Sequence, residues 1–357
     1  MPKVTLKDVA ARAGVHTSTA SRALDPDKGS LVREDTVERV RAAAHDLGYQ
    51  GDAIASGLRR GRTNTLGIVV ADLGNPFMAP VVRGIENHLE GRGLMALIAE
   101  SRDDPDRMNR VLNNLAARRV DAVIVTGARN GDERALRRAQ QQIPIVLAVR
   151  YLPDSGIPAI THDDERGGQL AADHFLAHGH RRIAQLCGPH DISSFRERAA
   201  GFRRRLEEHD VPTIEVDETA QRPMLEEGRR LMELLLARHG EPPSAVFAHN
   251  DLMAVGALEA LASRGRACPD DVAIIGYNDT TMTAFTHPPL TTIRLPGYEL
   301  GRMAADTAVT LIDDREQPAT SLSLPPVLVA RHSTLGWSTT PRADDRRPQD
   351  GAADRRG

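Results

Sequence analysis

From Leu66 onward, short runs of consecutive apolar residues alternate with amphipathic stretches, and this alternation leaves the chain few ways to fold. LGIVVAD (66–72), MALIAES (95–101), DAVIVTG (121–127) and IPIVLAV (143–149) each read as a strand. RIAQLCG (182–188), SAVFAHN (244–250) and VAIIGYND (272–279) follow in the same style. A strand with no polar alternation must be buried on both faces, which is the situation of a parallel sheet covered by helices. The intervening segments 77–92, 106–118, 167–178, 196–209, 225–239 and 251–264 carry helical apolar periodicity. Repeated strand–helix units of this kind are βαβ crossovers. Their number predicts two doubly wound lobes over residues 66–337, since 357 residues exceed what one core accommodates.

The first 49 residues follow a different rule. Thr5 and Asp8 stand three apart, as in a capping box. Leu6, Val9, Ala10 and Ala13 then form one helical face. Gly14 ends that helix, because the turn needs a positive φ. Val15 is expected to be a buried plug, and Thr17 to cap a second helix reaching about Leu24. A turn-rich DPDKGS separates it from a third helix built on Val37, Val40, Ala44 and Leu47. Helix, Gly-containing turn and second helix make a helix-turn-helix pattern. In that motif the N-terminal residues of the second helix meet base edges, here His16, Thr17, Ser18 and Thr19, with Arg22 one turn later. An exposed polar face on a small capping subdomain fits the same residues. Residues 50–65 read as a linker, and the leucine-free tail 338–357 as disordered.

Charge supports the division. The chain carries a formal −3, which as an average argues against nucleic acid. Residues 1–62 hold eleven Lys and Arg against eight Asp and Glu, so a local +3 leaves −6 for the remaining 295 residues. No apolar window of membrane-spanning length occurs, and MPKVTLKDVAARAG lacks the apolar stretch of a secretory signal, so a cytoplasmic protein without a membrane partner is expected. Cys187 and Cys268 are too few for a disulfide framework, and Cys187 falls in a core strand. Enzyme signatures are missing. There is no GxxxxGK phosphate loop and no GxSxG elbow, and His174, His178 and His180 lie around a helix end without an acidic companion. No catalytic residue, metal or cofactor is expected.

VTLKDVAARAGVHTSTASRAL and the following VREDTVERVRAAAHDLGYQGDAIASGLRRGRTNTLGIVV resemble the LacI family of bacterial transcription repressors. DLGNPF, RERAAGF, HNDLMAVGALEAL, DVAIIGYND and PPLTTIR continue the similarity in order, so that it covers about residues 4–335. The resemblance implies a DNA-binding headpiece, a hinge and a two-lobed core like that of periplasmic sugar-binding proteins. It places Thr17, Ser18 and Arg22 at base-reading positions and His16 at a phosphate-contacting one, where relatives often have Ser. Thr5 and Thr19 join them as DNA contacts. Leu58 matches the hinge leucine that wedges into the minor groove, or is an exposed linker residue. Ala55 matches the small residue that lets two hinges approach. A wedge favours an easily deformed step, so the expected operator is a pseudo-palindrome with a central CpG bound by a homodimer. This chain has Gly51-Asp52 where relatives usually have Pro-Asn, which makes hinge folding more dependent on DNA.

The resemblance also implies a small-molecule effector of sugar type in the cleft between the lobes. Ligands of open α/β sheets bind beyond the carboxyl ends of the strands. Asp72, Arg150, Asn250 and Asn278 stand at such ends. Phe77 offers an aromatic face to a sugar ring, or packs the start of its helix. Arg198 matches the family arginine that forks across sugar hydroxyls. Asp163, with Asp164, is either a ligand contact or a cap of the next helix; Asp251 is expected to cap the helix after Asn250. The segment aligned with Arg222-Pro223 lacks the aromatic many relatives have, so an oligosaccharide and a phosphorylated sugar both fit.

Overall fold

The computed structural model describes residues 4–25, 31–49, 62–238, 241–315 and 321–336. Gly51, Asp52, Ala55, Leu58 and the tail lie outside the described residues. Two compact units meet in the sequence at Asn64/Thr65.

The first unit contains α1 (Leu6–Ala13), α2 (Thr17–Ala23) and α3 (Glu34–Asp46). The capping box forms: the Thr5 N–H donates to Asp8 Oδ2 at 2.8 Å, and the Asp8 N–H to Thr5 Oγ1 at 3.4 Å. Gly14 ends α1 at φ 67°. Val9, Ala10, Ala20, Ala23, Val37, Val40, Ala43 and Ala44 close a small core. Val15 packs against it but stays half-buried, because the turn holding it lies at the rim. Thr17 is not the cap of α2. His16 is, with its Nδ1 accepting the Ser18 N–H at 3.3 Å, and Thr17 is the first helical residue.

The second unit holds two six-stranded sheets. In the first, β1 (Thr65–Val70), β2 (Met95–Glu100), β3 (Ala122–Val125), β4 (Ile145–Ala148), β5 (Ala159–His162) and β11 (Leu322–Leu324) run in the order β11-β5-β4-β3-β1-β2, all parallel. Residues of α4 (Met78–Glu90) and α11 (Gly297–Asp313) cover one face. Those of α5 (Pro105–Ala117) and α6 (Glu133–Gln140) cover the other.

The second sheet has β6 (Ile183–Leu186), β7 (Thr213–Glu215), β8 (Ala245–Ala248), β9 (Ala273–Asn278), β10 (Thr291–Arg294) and β12 (Val327–Val329), ordered β12-β10-β9-β8-β6-β7. On one face lie α7 (Asp164–Ala177) and α8 (Ser193–Glu207), on the other α9 (Leu225–Arg238) and α10 (Asp251–Ser263). The short α12 (His332–Leu335) packs on β9 and β10.

The chain crosses between lobes three times, after β5, after β10 and after β11. Two expectations of uniform parallel, covered sheets need correction. β12 pairs antiparallel with β10, with Thr292 opposite Val329, because the last crossing returns only a short connection from the other lobe. The edge strand β2 exposes Met95, Leu97 and Ile98, because it lies at the margin of the sheet with a strand neighbour on one side only. Among the described residues no helix is long and apolar enough to cross a membrane.

Candidate effector cleft and DNA-reading headpiece

The carboxyl ends of both sheets open onto one cleft. β1 delivers Asp72, β4 delivers Arg150, β8 delivers Asn250 and β9 ends on Asn278. Phe77 enters just before α4, and Arg198 comes from the second turn of α8. All six line the same cavity. Asp163 does not. Its Oδ1 accepts the Arg166 N–H at 2.9 Å, so it caps α7 instead.

Two sites of backbone strain aim side chains at this cavity. Val149 has φ 68°, unusual for a β-branched residue, and the Arg150 N–H closes the turn on the Ala148 carbonyl at 2.7 Å. Asn278 has φ 117°. Strain of this sort costs about 1–3 kcal/mol per residue and persists where the surroundings over-determine it, as at ligand sites.

Arg198 is anchored within the fold through two of its three nitrogens. Its Nε donates to Asp164 Oδ1 at 2.7 Å and its Nη1 to the His249 carbonyl at 2.7 Å. The guanidinium lies 3.8 Å from the Tyr277 ring centroid and 4.9 Å from that of Phe195. Tyr277 also donates its hydroxyl to Asp164 Oδ1 at 2.9 Å. Burial raises the Asp164 carboxyl pKa against the pull of Arg198. It holds His249 neutral, well below the usual imidazole range, with the Arg198 charge acting in the same direction. In keeping with neutrality, His249 Nδ1 accepts the Gly188 N–H at 3.2 Å.

The helices carrying this pair approach closely because two glycines allow it. A Cβ on Gly168 would lie 2.2 Å from the Arg198 carbonyl oxygen, and one on Gly201 would lie 2.1 Å from that of Glu165. Any side chain at either position would push Asp164 and Arg198 apart.

Sequence reasoning missed several lining residues, among them Asp103, Thr126, Ser194 and Phe195. Asp103 and Thr126 follow strand ends, which was the available signal. Asp251 is not the helix cap. Asn250 takes that role, its Oδ1 accepting the Met253 N–H at 2.7 Å, while its Nδ2 donates to the Pro223 carbonyl at 2.8 Å. Asp251 instead receives bonds from Thr280 and Thr292 in the interior.

A second set of contacts ties the lobes together beside the cleft. Arg129, after β3, donates Nε and Nη2 to the two oxygens of Asp191 at 2.7 and 2.8 Å. The Asn130 N–H reaches the Asp191 carbonyl at 3.1 Å. The Tyr151 N–H donates to Ser193 Oγ at 2.9 Å, and its hydroxyl to Glu197. These residues interleave with cleft residues: Tyr151 follows Arg150, and Glu197 precedes Arg198.

On the headpiece, His16, Ser18 and Arg22 are exposed, while Thr17 and Thr19 are half-buried. Arg22 is exposed, and its guanidinium makes no hydrogen bond or ion pair among the described residues. His16 Nδ1 lies 2.8 Å from Ser18 Oγ, so capping engages one nitrogen and leaves Nε2 outward. The three histidines near the end of α7 are spent locally, on Thr334, on the His174 carbonyl and on Ser244. Cys187 is buried, as expected.

A three-helix DNA-reading unit followed by two lobes around a strand-end cleft defines a helix-turn-helix transcriptional regulator with a periplasmic-binding-protein-like core. Comparisons agree. The lacI family of bacterial regulatory proteins matches residues 5–52, and the periplasmic binding protein-like domain matches residues 172–334. The transcriptional regulator DegA of Bacillus subtilis is 33% identical over 94% of this chain and 100% of its own length. The ribose operon repressor of Escherichia coli is 34% identical over 92% of this chain and 99% of its own. The crystal structure of the lac repressor dimer bound to operator and the anti-inducer ONPF superposes with a TM-score of 0.84 at 28% identity, covering 93% of this chain and 99% of that one. The chain belongs to the lacI family and is a DNA-binding transcriptional repressor, not an enzyme.

Proposed function

We propose that this repressor controls genes of sugar uptake or catabolism and that a sugar-type effector in the interlobe cleft sets its operator affinity. The carrying observation is the convergence of Asp72, Phe77, Arg150, Arg198, Asn250 and Asn278, from both lobes, on one cavity at the strand ends. A ligand touching both lobes binds best at one lobe angle, and it shifts operator affinity by as much as it discriminates between angles. The names of the ribose operon repressor and the lac repressor support a sugar ligand by analogy.

Thr5, His16, Thr17, Ser18, Thr19 and Arg22 contact the operator, Arg22 through a guanine edge. Two copies read a pseudo-palindrome with a central CpG, where Ala55 and Leu58 of each hinge meet the minor groove. Exposed apolar side chains support pairing with a second copy: Met95, Leu97 and Ile98 on the edge strand of one lobe, and Phe285, 82% exposed, on the other.

The test selects operators from a random DNA pool with full-length protein, then titrates ribose, glucose, cellobiose and maltose into the complex. A selected palindrome with central CpG whose binding changes with one sugar supports the reading. Sequence-indifferent binding overturns the repressor assignment, and a specific complex that responds to none of these sugars overturns the sugar effector.

A further inference from the structure

We propose that Asp103 is a specificity-determining residue that closes this cleft to phosphorylated ligands, so that its effector is an uncharged polyol. The inference rests on the cleft being the effector site. Three arginines line the cavity, which on composition alone suits an anion. Their environments say otherwise. The Nη1 of Arg150 lies 2.6 Å from Asp103 Oδ1, with side chains 9% and 6% exposed. Arg198 lies 2.7 Å from Asp164 Oδ1, with side chains 4% and 2% exposed. Each buried cation therefore has its own buried carboxylate. The remaining charges on the lining, Asp72 and Arg222, have opposite signs.

A phosphate group approaching Arg150 would meet the Asp103 carboxylate within bonding distance of the same guanidinium. Two like charges about 4 Å apart in a half-buried site repel strongly, and the arginine cannot serve both fully. Hydroxyls meet no such opposition. Arg150 still has Nε and Nη2 unclaimed by any carboxylate, and the buried Asn278 amide makes no side-chain hydrogen bond among the described residues. Arginine N–H groups and an amide fit the mixed donor and acceptor edge of a polyol.

Asp103 is placed firmly. Arg102 and Asp103 both adopt left-handed backbone, φ 59° and 53°, which turns the chain sharply after β2. Its carbonyl also accepts Arg129 Nη1 at 3.2 Å.

The experiment uses full-length protein and inorganic phosphate as the probe, read by calorimetry and thermal shift at constant ionic strength. Wild type is expected to show no saturable phosphate binding. Asp103→Asn, which keeps an oxygen for Arg150 but removes the charge, is expected to bind phosphate at least about tenfold more tightly than wild type. Adding Arg150→Met should abolish that gain. Saturable phosphate binding by wild type that is lost in Arg150→Met overturns the proposal. So does a folded Asp103→Asn that gains nothing. A parallel arm measures ribose, glucose and cellobiose binding in wild type and Phe77→Ala. Sugar binding lost in Phe77→Ala, with no phosphate gain in Asp103→Asn, sinks only the role of Asp103. A phosphate gain with no sugar bound sinks the effector reading of the cleft and leaves the charge argument standing.

Discussion

Breaking the Arg129–Asp191 pair should loosen the two lobes without unfolding either. The pair is bidentate, at 2.7 and 2.8 Å, a geometry that strengthens charge-assisted hydrogen bonds. Its side chains are 18% and 44% exposed, so solvent screens much of the attraction. Removing one partner of a fully buried pair costs about 3–5 kcal/mol, and of an exposed pair about 0–1; for this one the cost falls near 1–2 kcal/mol. That corresponds to roughly a 5–30-fold change in the ratio of open to closed lobes.

Hydrogen exchange reports this opening directly. The Asn130 and Tyr151 amides are bonded across the lobes, so they exchange only when the lobes part. Arg129→Ala and Asp191→Ala should each speed both amides by about 5–30-fold, while amides inside β1 and β8 stay protected. The double variant should be no faster than either single one, because both remove the same interaction. Unchanged rates at these amides, or additive effects in the double variant, would refute the clamp.

Three further outcomes follow from the same geometry. Arg22→Ala should weaken specific operator binding by about 1–3 kcal/mol in gel-shift titration and leave the thermal response to effector intact; equal loss of both contradicts the base-reading role. Gly201→Ala should destabilise the core by about 1–3 kcal/mol in urea unfolding, because its Cβ would sit 2.1 Å from the Glu165 carbonyl oxygen; a shift within error would show that the α7 and α8 contact yields freely. Burial raises the Asp251 carboxyl pKa to about 7, above its unfolded value, so the folded chain holds a proton that the unfolded chain releases. Its contribution is complete below the unfolded pKa of about 3.9 and is lost as pH rises toward 7. Relative to Asp251→Asn, wild type should lose about 1.4 kcal/mol of stability per pH unit across that window, and a flat difference would disprove the raised pKa.

Local pattern determined the kinds of element and their order. Continuous apolar runs such as AVIV in β3 and AVFA in β8 have one stable home, inside a helix-covered parallel sheet. The headpiece was legible for a similar reason, since Thr5, Asp8 and Gly14 act within a few residues of one another. The strands β5 (AITH), β7 (TIE), β10 (TTIR) and β11 (LSL) escaped because polar residues interrupt their apolar runs, and β12 (VLV) because three residues are too few. Strand ends also revealed most of the cleft, as Asp72, Arg150, Asn250 and Asn278 needed only a correct strand to be found.

Partnership was decided by tertiary structure. Nothing local distinguishes Asp163, a helix cap, from Asp164, the buried counter-ion of Arg198 across two helices. Nothing local says that Asp103 neutralises Arg150 from 47 residues away, or that Arg129 grips Asp191 across the lobes. The pattern of residues along a strand or helix depends on neighbours a few positions apart, so the sequence determined secondary structure and the location of the cleft. Charge pairing depends on distance and burial in space, so only the folded lobes decided which arginines remain free to meet a ligand.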